Sequence, residues 1–594
     1  MRPNMLTATC CLIALCQLAN ADPIIFVDDS ASAGGNGKSW AAAFRSIDEA
    51  LASKPAPFTQ IWVAEGEYTP KSNGDQTSTF SIPNRVLLYG GFEGDETDLD
   101  DRNDPLNNPT ILNGDISSGT EGDIDNIITI DNIDSTIIDG FIIQSAGGSA
   151  PSPDGGGILI NNSTAVLRNL VFDGCAAGPT TTAGRGGAIA VLGDSSVQLE
   201  DAIIANCQAP TGGAIFSEAP IQILRTRFTN NTAQSTTGGA VALRGTGVST
   251  IFHSRFEGNF TQNGPGGAVS AEFDQPEFSA LLIEDSVFID NTGGNGSFGG
   301  AVAFEGKGFH KVSRSRFLNN ETPNAGGAIF VDLDGTADEL VVESSFFSGN
   351  RSGFRGGAVY HTGAAELFLI NSTVTNNEAD GLGAGVFTFS GDCYIANSIL
   401  WDNNNTATPG QPRQDQFSFS GGGAPRVITV DWSRVQGWAA SPLNGTATND
   451  SDPGLANPLG PDGTTGTEDD SALLAPGSSA IDAGNNLWAI TYTLTDLNQQ
   501  QRYTDDPGTT DTGADPSGLP FVDIGATEFQ DITLGCPGDA NNDNTVGLDD
   551  LLSVLSNFGA TTNNGPAAGD LDFSGTVGLE DLLEVLSNFG GTCP

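Results

Sequence analysis

Residues 238–269 read GGAVALRGTGVSTIFHSRFEGNFTQNGPGGAV, one unit of a repeat followed by the opening of the next. The unit starts on a Gly-Gly-small-aliphatic tetrad, Gly238-Gly239-Ala240-Val241. It then carries an apolar residue, two variable ones and an Asn, at Phe256/Asn259. The tetrad recurs at Gly186-Gly187-Ala188-Ile189, Gly212-Gly213-Ala214-Ile215, Gly266-Gly267-Ala268-Val269 and Gly299-Gly300-Ala301-Val302. It continues at Gly326-Gly327-Ala328-Ile329 and Gly356-Gly357-Ala358-Val359, with variants at Gly156-Gly157-Ile158 and Gly383-Ala384-Gly385-Val386. The second signature recurs at Ile203/Asn206, Phe228/Asn231, Phe288/Asn291, Phe317/Asn320, Phe347/Asn350, Val374/Asn377 and Leu400/Asn403, with Asn spacings of 25 to 32 residues.

A coil of that length makes three short strands and three turns, and it cannot bury its apolar face alone, so coils must stack and pair in parallel. Equivalent side chains then lie about 4.8 Å apart along the axis. Stacked Phe, Ile and Val fill the interior. Asn at a turn tolerates the left-handed conformation and bonds its counterparts above and below, so the turn becomes an Asn ladder. Paired Gly supply positive φ and close backbone approach. A propeller blade would need about 40 or more residues, and a leucine-rich repeat would need spaced Leu and a helix. The expected fold is all-β, a right-handed parallel β-helix solenoid.

These repeats resemble the chlamydial polymorphic outer membrane proteins, whose hallmark is GGA[ILV] with FxxN, over about residues 155–405. Those proteins end in an outer-membrane barrel and this chain does not, so autotransport is not implied. Phe26-Val27-Asp28, Ser39-Trp40 and Ile111-Leu112-Asn113-Gly114-Asp115 are similar to the N-terminal part of secreted proteins of the pectin-lyase-like superfamily. Ala480-Ile481-Asp482-Ala483-Gly484 and Val522-Asp523-Ile524-Gly525-Ala526-Thr527-Glu528 resemble its closing segment. The domain reading is a signal peptide over 1–21, an N-terminal cap and first coils over 22–130, the β-helix over 131–440, a closing segment over 441–532 and a separate module over 536–594. Within the cap, 41–53 reads as a helix with Phe44, Ile47 and Leu51 on one face.

The signal peptide follows from Arg2, the apolar run Leu6 to Leu18 and the Ala19-Asn20-Ala21 cleavage site; the run is too short to span a bilayer. The formal net charge of -50 repels phosphate and anionic lipid, which sets aside nucleic acid and membrane surfaces as partners. Hydrophobic residues are 38% of the chain and include 33 Phe, enough for a continuous core despite 78 Gly. Of the Cys left after cleavage, Cys175 and Cys207 occupy equivalent slots in adjacent coils, and a bridge or two buried thiols are both open. Cys393 has no visible partner.

After Cys536 a duplicated unit appears with a 31-residue period. The first loop offers Asp539, Asn541, Asp543, Thr545 (through its carbonyl) and Asp550 as ligands. The second offers Asp570, Asp572, Ser574, Thr576 and Asp581. Oxygen donors at positions 1, 3, 5, 7 and 12 are what calcium requires. Each loop runs into a helix with one apolar pattern, Leu551, Leu552, Leu555, Phe558 and Leu582, Leu583, Leu586, Phe589. Asp at position 12, no entering helix and the duplication make the module resemble a type I dockerin, which implies a cohesin-like or envelope scaffold as partner. Positions 10 and 11, which contribute to recognition in dockerins, are Leu548-Asp549 and Leu579-Glu580. Cys536 and Cys593 flank the module, where they would clasp its ends.

No Gly-His-Gly with paired Asp marks a hydrolase site. The one basic strip, Arg227, Arg255 and Arg316, each just before the coil Phe, is the place for an anionic or carbohydrate ligand; the alternative is cross-coil ion pairing with neighbouring acids. No catalytic residue is assigned. A non-catalytic surface or adhesion protein docked by its calcium module is the leading expectation. A polysaccharide lyase or glycoside hydrolase, or a carbohydrate-binding protein, stands behind it.

Overall fold

The computed structural model describes residues 23–529 apart from 72–74, 103–104, 117–123, 148–153, 179–183, 275–278, 408–411, 421–426, 441–442, 444, 493 and 515–518. Beyond residue 529 it describes Gly538, Ala540, 545–560, Gly569, Leu571 and 577–590. The signal segment 1–21, Cys536, Cys593, and the loop residues Asp539, Asn541, Asp543, Asp570, Asp572, Ser574 and Thr576 lie outside the described residues.

The chain winds as a parallel β-helix whose described strands form sheets of 14, 13, 12 and 8 strands, each strand paired to its counterparts one coil away. The unit quoted above contributes Val241–Arg244 to the 12-stranded sheet, Val248–Phe252 to the 14-stranded sheet and Arg255–Glu257 to the 13-stranded sheet. Phe260–Thr261 then pairs in a fourth, narrow sheet that the three-strand expectation did not include. It arises because the chain stays extended for two residues past the ladder Asn before turning at the glycines.

Side-chain stacking follows the register. The rings of Phe228, Phe256, Phe288, Phe317 and Phe347 stack at centroid separations of 4.6, 4.7, 4.9 and 4.8 Å, nearly parallel and fully buried. Beside them runs the Asn ladder: each carboxamide of Asn231, Asn259, Asn291, Asn320, Asn350 and Asn377 donates to the Oδ1 of the next rung at 2.8–2.9 Å. Asn403 ends the ladder on Gln416 Oε1 at 2.6 Å. The ladder Asn do not hold the left-handed conformation. That falls on the residue before each, as at Asn230, Asp290, Asn319 and Asn376, because the rung must point its amide inward along the axis.

One register is corrected. Ile204, not Ile203, pairs with Phe228, so the slot of Asn231 is filled in the preceding coil by Cys207, and Asn206 is the left-handed residue before it. The paired glycines behave as expected: Gly238 has φ +66°, and a Cβ on Gly239 would sit 1.8 Å from the Gly267 carbonyl oxygen. At the N-terminal end the helix is shorter than 41–53 and spans Ile47–Ala52, capped by Ser46. Phe44 is held extended by backbone hydrogen bonds with Phe26 and Asp28, which delays the helix.

The segment after the last coils packs along the side of the solenoid. Ala472, Leu497 and Ala526 pack on Ile289, Leu318 and Phe346, outside the 13-stranded sheet. Leu474, Ala480, Ile481 and Ile524 pack on Ile399 of the same sheet. Arg502, fully buried, ties this segment down by donating to Ser344 Oγ (3.1 Å), the Asn371 carbonyl (3.2 Å) and the Ala526 carbonyl (2.8 Å).

Candidate functional site

The Arg strip lies on the outer face of the 13-stranded sheet, where Arg227 pairs with Arg255, Arg255 with Val287 and Val287 with Arg316. The next row of residues, Arg225, His253, Asp285 and Arg314, sits in left-handed turns at the sheet corner. Acids engage Arg225, Arg227, Arg255 and Arg314. Arg227 meets Glu257 at 2.7 Å, Arg255 meets Glu257 at 3.1 Å as well as Glu468, and Arg225 meets Asp201 at 2.6 Å. Arg314 pairs with Asp285 at 2.8 Å and with Glu284. Arg316 donates to the Asp470 carbonyl at 3.4 Å and to Asn498 Oδ1 at 3.3 Å, both on the lateral segment. Burial lowers its guanidinium below the usual range against the pull of Asp496, Asp470 and Glu468. The strip is thus roofed by the lateral segment at Arg316 and paired with Glu257 at Arg227 and Arg255, while the Arg227 side chain stays half-exposed.

A second charged row lies on the outer face of the 12-stranded sheet. Arg244, Glu272, Glu305 and Asp332 are register partners in four successive coils. Arg244 pairs with Glu272 at 2.8 Å. Burial, reinforced by Glu272 and Asp332, pushes the Glu305 carboxyl up to about 7. Like charges stacked one coil apart favour holding a proton. The row was legible: each residue is the seventh from the start of its Gly-Gly tetrad. Another missed row is a serine ladder between the 14- and 13-stranded sheets. The backbone amides of Ser254, Ser286, Ser315 and Ser345 each donate to the hydroxyl one coil on at 3.1–3.2 Å. Its signal is Ser two residues before the coil Phe.

Cys175 and Cys207 are adjacent as expected, but as two free buried thiols rather than a bridge. The Cys175 thiol donates to the Ile143 carbonyl at 3.5 Å and that of Cys207 to the Ala205 carbonyl at 3.3 Å, so each is satisfied within its own wall of the helix. Burial, then the Cys175 neighbour, raises the Cys207 thiol well above its ordinary value. Cys393 is also buried and free, and burial pushes it up to about 12. At the N-terminal end an open cleft of about 500 Å³ is lined by Asp28, Asp29, Glu65, Glu67 and Glu93 among others, with no basic side chain among the described residues of its wall.

In the terminal module, helices Leu548–Ser556 and Leu579–Asn588 pack through Val546, Val554, Val577 and Val585, flanked by Leu551 and Leu582. Asp550 and Asp581 are buried at the first turns of these helices. Asp550 accepts the Gly547 amide at 2.7 Å, and Asp581 accepts the amides of Gly578 (2.6 Å) and Leu571 (2.5 Å). Thr545 is exposed. The apolar pattern of each helix divides between two faces, with Leu551 and Leu582 turned to the shared core. Leu548, Leu552, Leu555 and Phe558, and their counterparts Leu579, Leu583, Leu586 and Phe589, are each about half or more exposed, from 49% to 62%.

The family model described as "Right handed beta helix region" matches residues 156–336. The chain is a right-handed parallel β-helix. A stretch of 137 residues is 36% identical to the probable autotransporter YfaL of Escherichia coli (strain K12), covering 20% of this chain. The match spans about a tenth of that protein's length. Among solved structures, the pectate lyase Pel9A is similar at 14% identity and a TM-score of 0.29, over 86% of this chain and 97% of that one. The complex of XylC with xylose is similar at 10% identity and a TM-score of 0.34, over 73% and 87%. Among the described residues no helix is long and apolar enough to cross a membrane.

Proposed function

We propose that this is a secreted or cell-surface β-helix protein with a non-catalytic, structural or adhesive role, docked to a scaffold through a calcium-loaded C-terminal module. The observation that carries the reading is the pair of matched apolar faces on the terminal helices, Leu548/Leu552/Leu555/Phe558 and Leu579/Leu583/Leu586/Phe589. Half-exposed Leu and Phe in two equivalent sets are a cost to a free module and a fit to a protein partner. Leu548 and Leu579 stand where the resemblance to type I dockerins places recognition residues. Calcium belongs to the same proposal. Asp550 and Asp581 would close the two loops, joined by Asp539, Asn541, Asp543 and Thr545 in one and Asp570, Asp572, Ser574 and Thr576 in the other. The ion would supply folding energy to a core of this size. The similarity to a probable autotransporter supports placing the rod outside the cell.

The test is binding of the full chain to cell-envelope fractions and to cohesin-bearing scaffold proteins, with calcium and with chelator. Calcium-dependent binding lost in Leu548→Asp/Leu579→Asp is the expected result. Binding indifferent to both refutes the docking role.

One observation favours a second reading, a polysaccharide hydrolase or lyase. Glu305 lies in register between Glu272 and Asp332 on an outer sheet face, and burial raises its carboxyl to about 7, the range in which a general acid works near neutral pH. Turnover of any polysaccharide in a reducing-end assay, abolished in Glu305→Gln, would replace the non-catalytic reading.

A further inference from the structure

The lateral segment holds more buried negative charge than its one buried cation answers. Asp482, Asp496, Asp523 and Glu528 are all essentially inaccessible, and Arg502 is the buried base among them, pairing with Glu528 at 3.4 Å. Asp496 spends its oxygens on the amides of Asn498, Gln500 and Glu528, each at 2.8 Å. Asp523 accepts the amides of Asp482 (2.7 Å) and Phe529 (2.5 Å). Asp482 is different. Its Oδ1 is buried with no hydrogen-bond partner, and its Oδ2 receives only a long bond, 3.3 Å, from the Asp506 amide.

Two exposed acids converge on that carboxylate. One oxygen each from Asp482, Asp505 and Asp511 lie within 4.8 Å of one another. The loop that carries the outer two is pinned to the inner one, since the Asp482 carbonyl accepts the amides of Thr512 and Gly513, both at 3.0 Å. Asp506 turns away and caps Gly508 and Thr509, which folds the loop back so that positions 505 and 511 face the same point. Asp482 itself is fixed in the left-handed conformation at φ +49°.

We propose that Asp482, Asp505 and Asp511 form a calcium site that clamps the loop over 503–514 onto the body of the lateral segment at Asp482. All donors are carboxylate oxygens, with no His or Cys, which selects a hard cation. Calcium, with Ca–O distances of about 2.3–2.6 Å, spans ligand oxygens up to about 5 Å apart, whereas magnesium at about 2.0–2.1 Å spans about 4 Å. The exposed side of the site leaves room for water in the remaining positions. The site stands apart from the terminal module and does not depend on it.

Calcium stoichiometry of the full chain by equilibrium dialysis tests this, comparing wild type with Asp505→Asn/Asp511→Asn and with Asp550→Asn/Asp581→Asn. Both outer acids are exposed, so the first variant should fold. The expected result is one ion fewer per chain in Asp505→Asn/Asp511→Asn, and retention of that ion in Asp550→Asn/Asp581→Asn. An Asp505→Asn/Asp511→Asn chain that binds as many ions as wild type overturns the proposal, whatever the terminal loops bind. Wild type alone gives a second readout: hydrogen exchange in peptides covering 503–514 should slow at least tenfold with calcium, and unchanged exchange contradicts the clamp.

Discussion

Replacing Asn320 by Ala should cost the β-helix about 3–7 kcal/mol, far more than a small polar-to-apolar change elsewhere. The Asn320 carboxamide makes four hydrogen bonds. It donates to the Phe288 carbonyl and Asn350 Oδ1, each at 2.9 Å, and its oxygen accepts from the Asn291 backbone amide (3.1 Å) and carboxamide (2.9 Å). Alanine leaves the buried Asn291 backbone N–H without its acceptor, at about 1–3 kcal/mol, and removes three further bonds worth about 0.5–1.5 kcal/mol each. Cys207 offers an internal control, because it fills the same slot in an earlier coil with a thiol that makes one weak bond. Cys207→Ala removes little more than a methylene's worth of packing, about 1 kcal/mol. Urea unfolding of the two variants, compared by midpoint at constant slope, measures both. If Asn320→Ala were no more destabilising than Cys207→Ala, the ladder would not be the spine of the β-helix.

Other consequences are open to direct checks. Gly239→Ala, with its Cβ 1.8 Å from the Gly267 oxygen, should lower stability by about 3 kcal/mol or more. Gly174→Ala, left-handed but with open space around it, should lose about 1–2 kcal/mol by the same urea assay. Cys175, Cys207 and Cys393 should all be silent to a thiol reagent in the native chain and all react on unfolding without reductant. A bridge would release only one of the three. His310 is buried between Phe273 and Phe304, and burial lowers its pKa to about 4. The unfolded chain therefore takes up the proton first. Relative to the uncharged variant His310→Phe, wild type should lose about 3 kcal/mol as pH falls from about 6.5 to about 4. A pH-independent difference between the two would show that His310 is not held neutral.

The sequence exposes the fold because one coil cannot hide its signals. Gly238 and Gly239 answer steric demands no other residue meets, and Phe256 repeats wherever the core needs a ring. The one-residue slip at Ile203 has the same origin: a coil with Ile204 in the ring slot and Cys207 in the Asn slot keeps the shape of the motif but not its letters. The left-handed position was misplaced because Asn occupies both the turn and the rung, as Asn230-Asn231 does, and only the register separates them. The charged row Arg244, Glu272, Glu305, Asp332 was available at a fixed offset but means nothing until stacking brings its members together. The lateral segment was least legible. It has no period, and its contacts, such as Arg502 with Asn371, join residues more than a hundred apart. Asp482 could be quoted from sequence as part of a resemblance, whereas its approach to Asp505 and Asp511 is a property of the folded loop.

The docking proposal rests on whether calcium orders the terminal helices while they still present their leucine faces. Hydrogen–deuterium exchange of the full chain with and without calcium decides this through peptides covering Leu548–Ser556 and Leu579–Asn588. Protection that rises in both helices on adding calcium, with coils such as 238–269 already protected in its absence, is the predicted result. Equal protection in both conditions would contradict a calcium-built docking module.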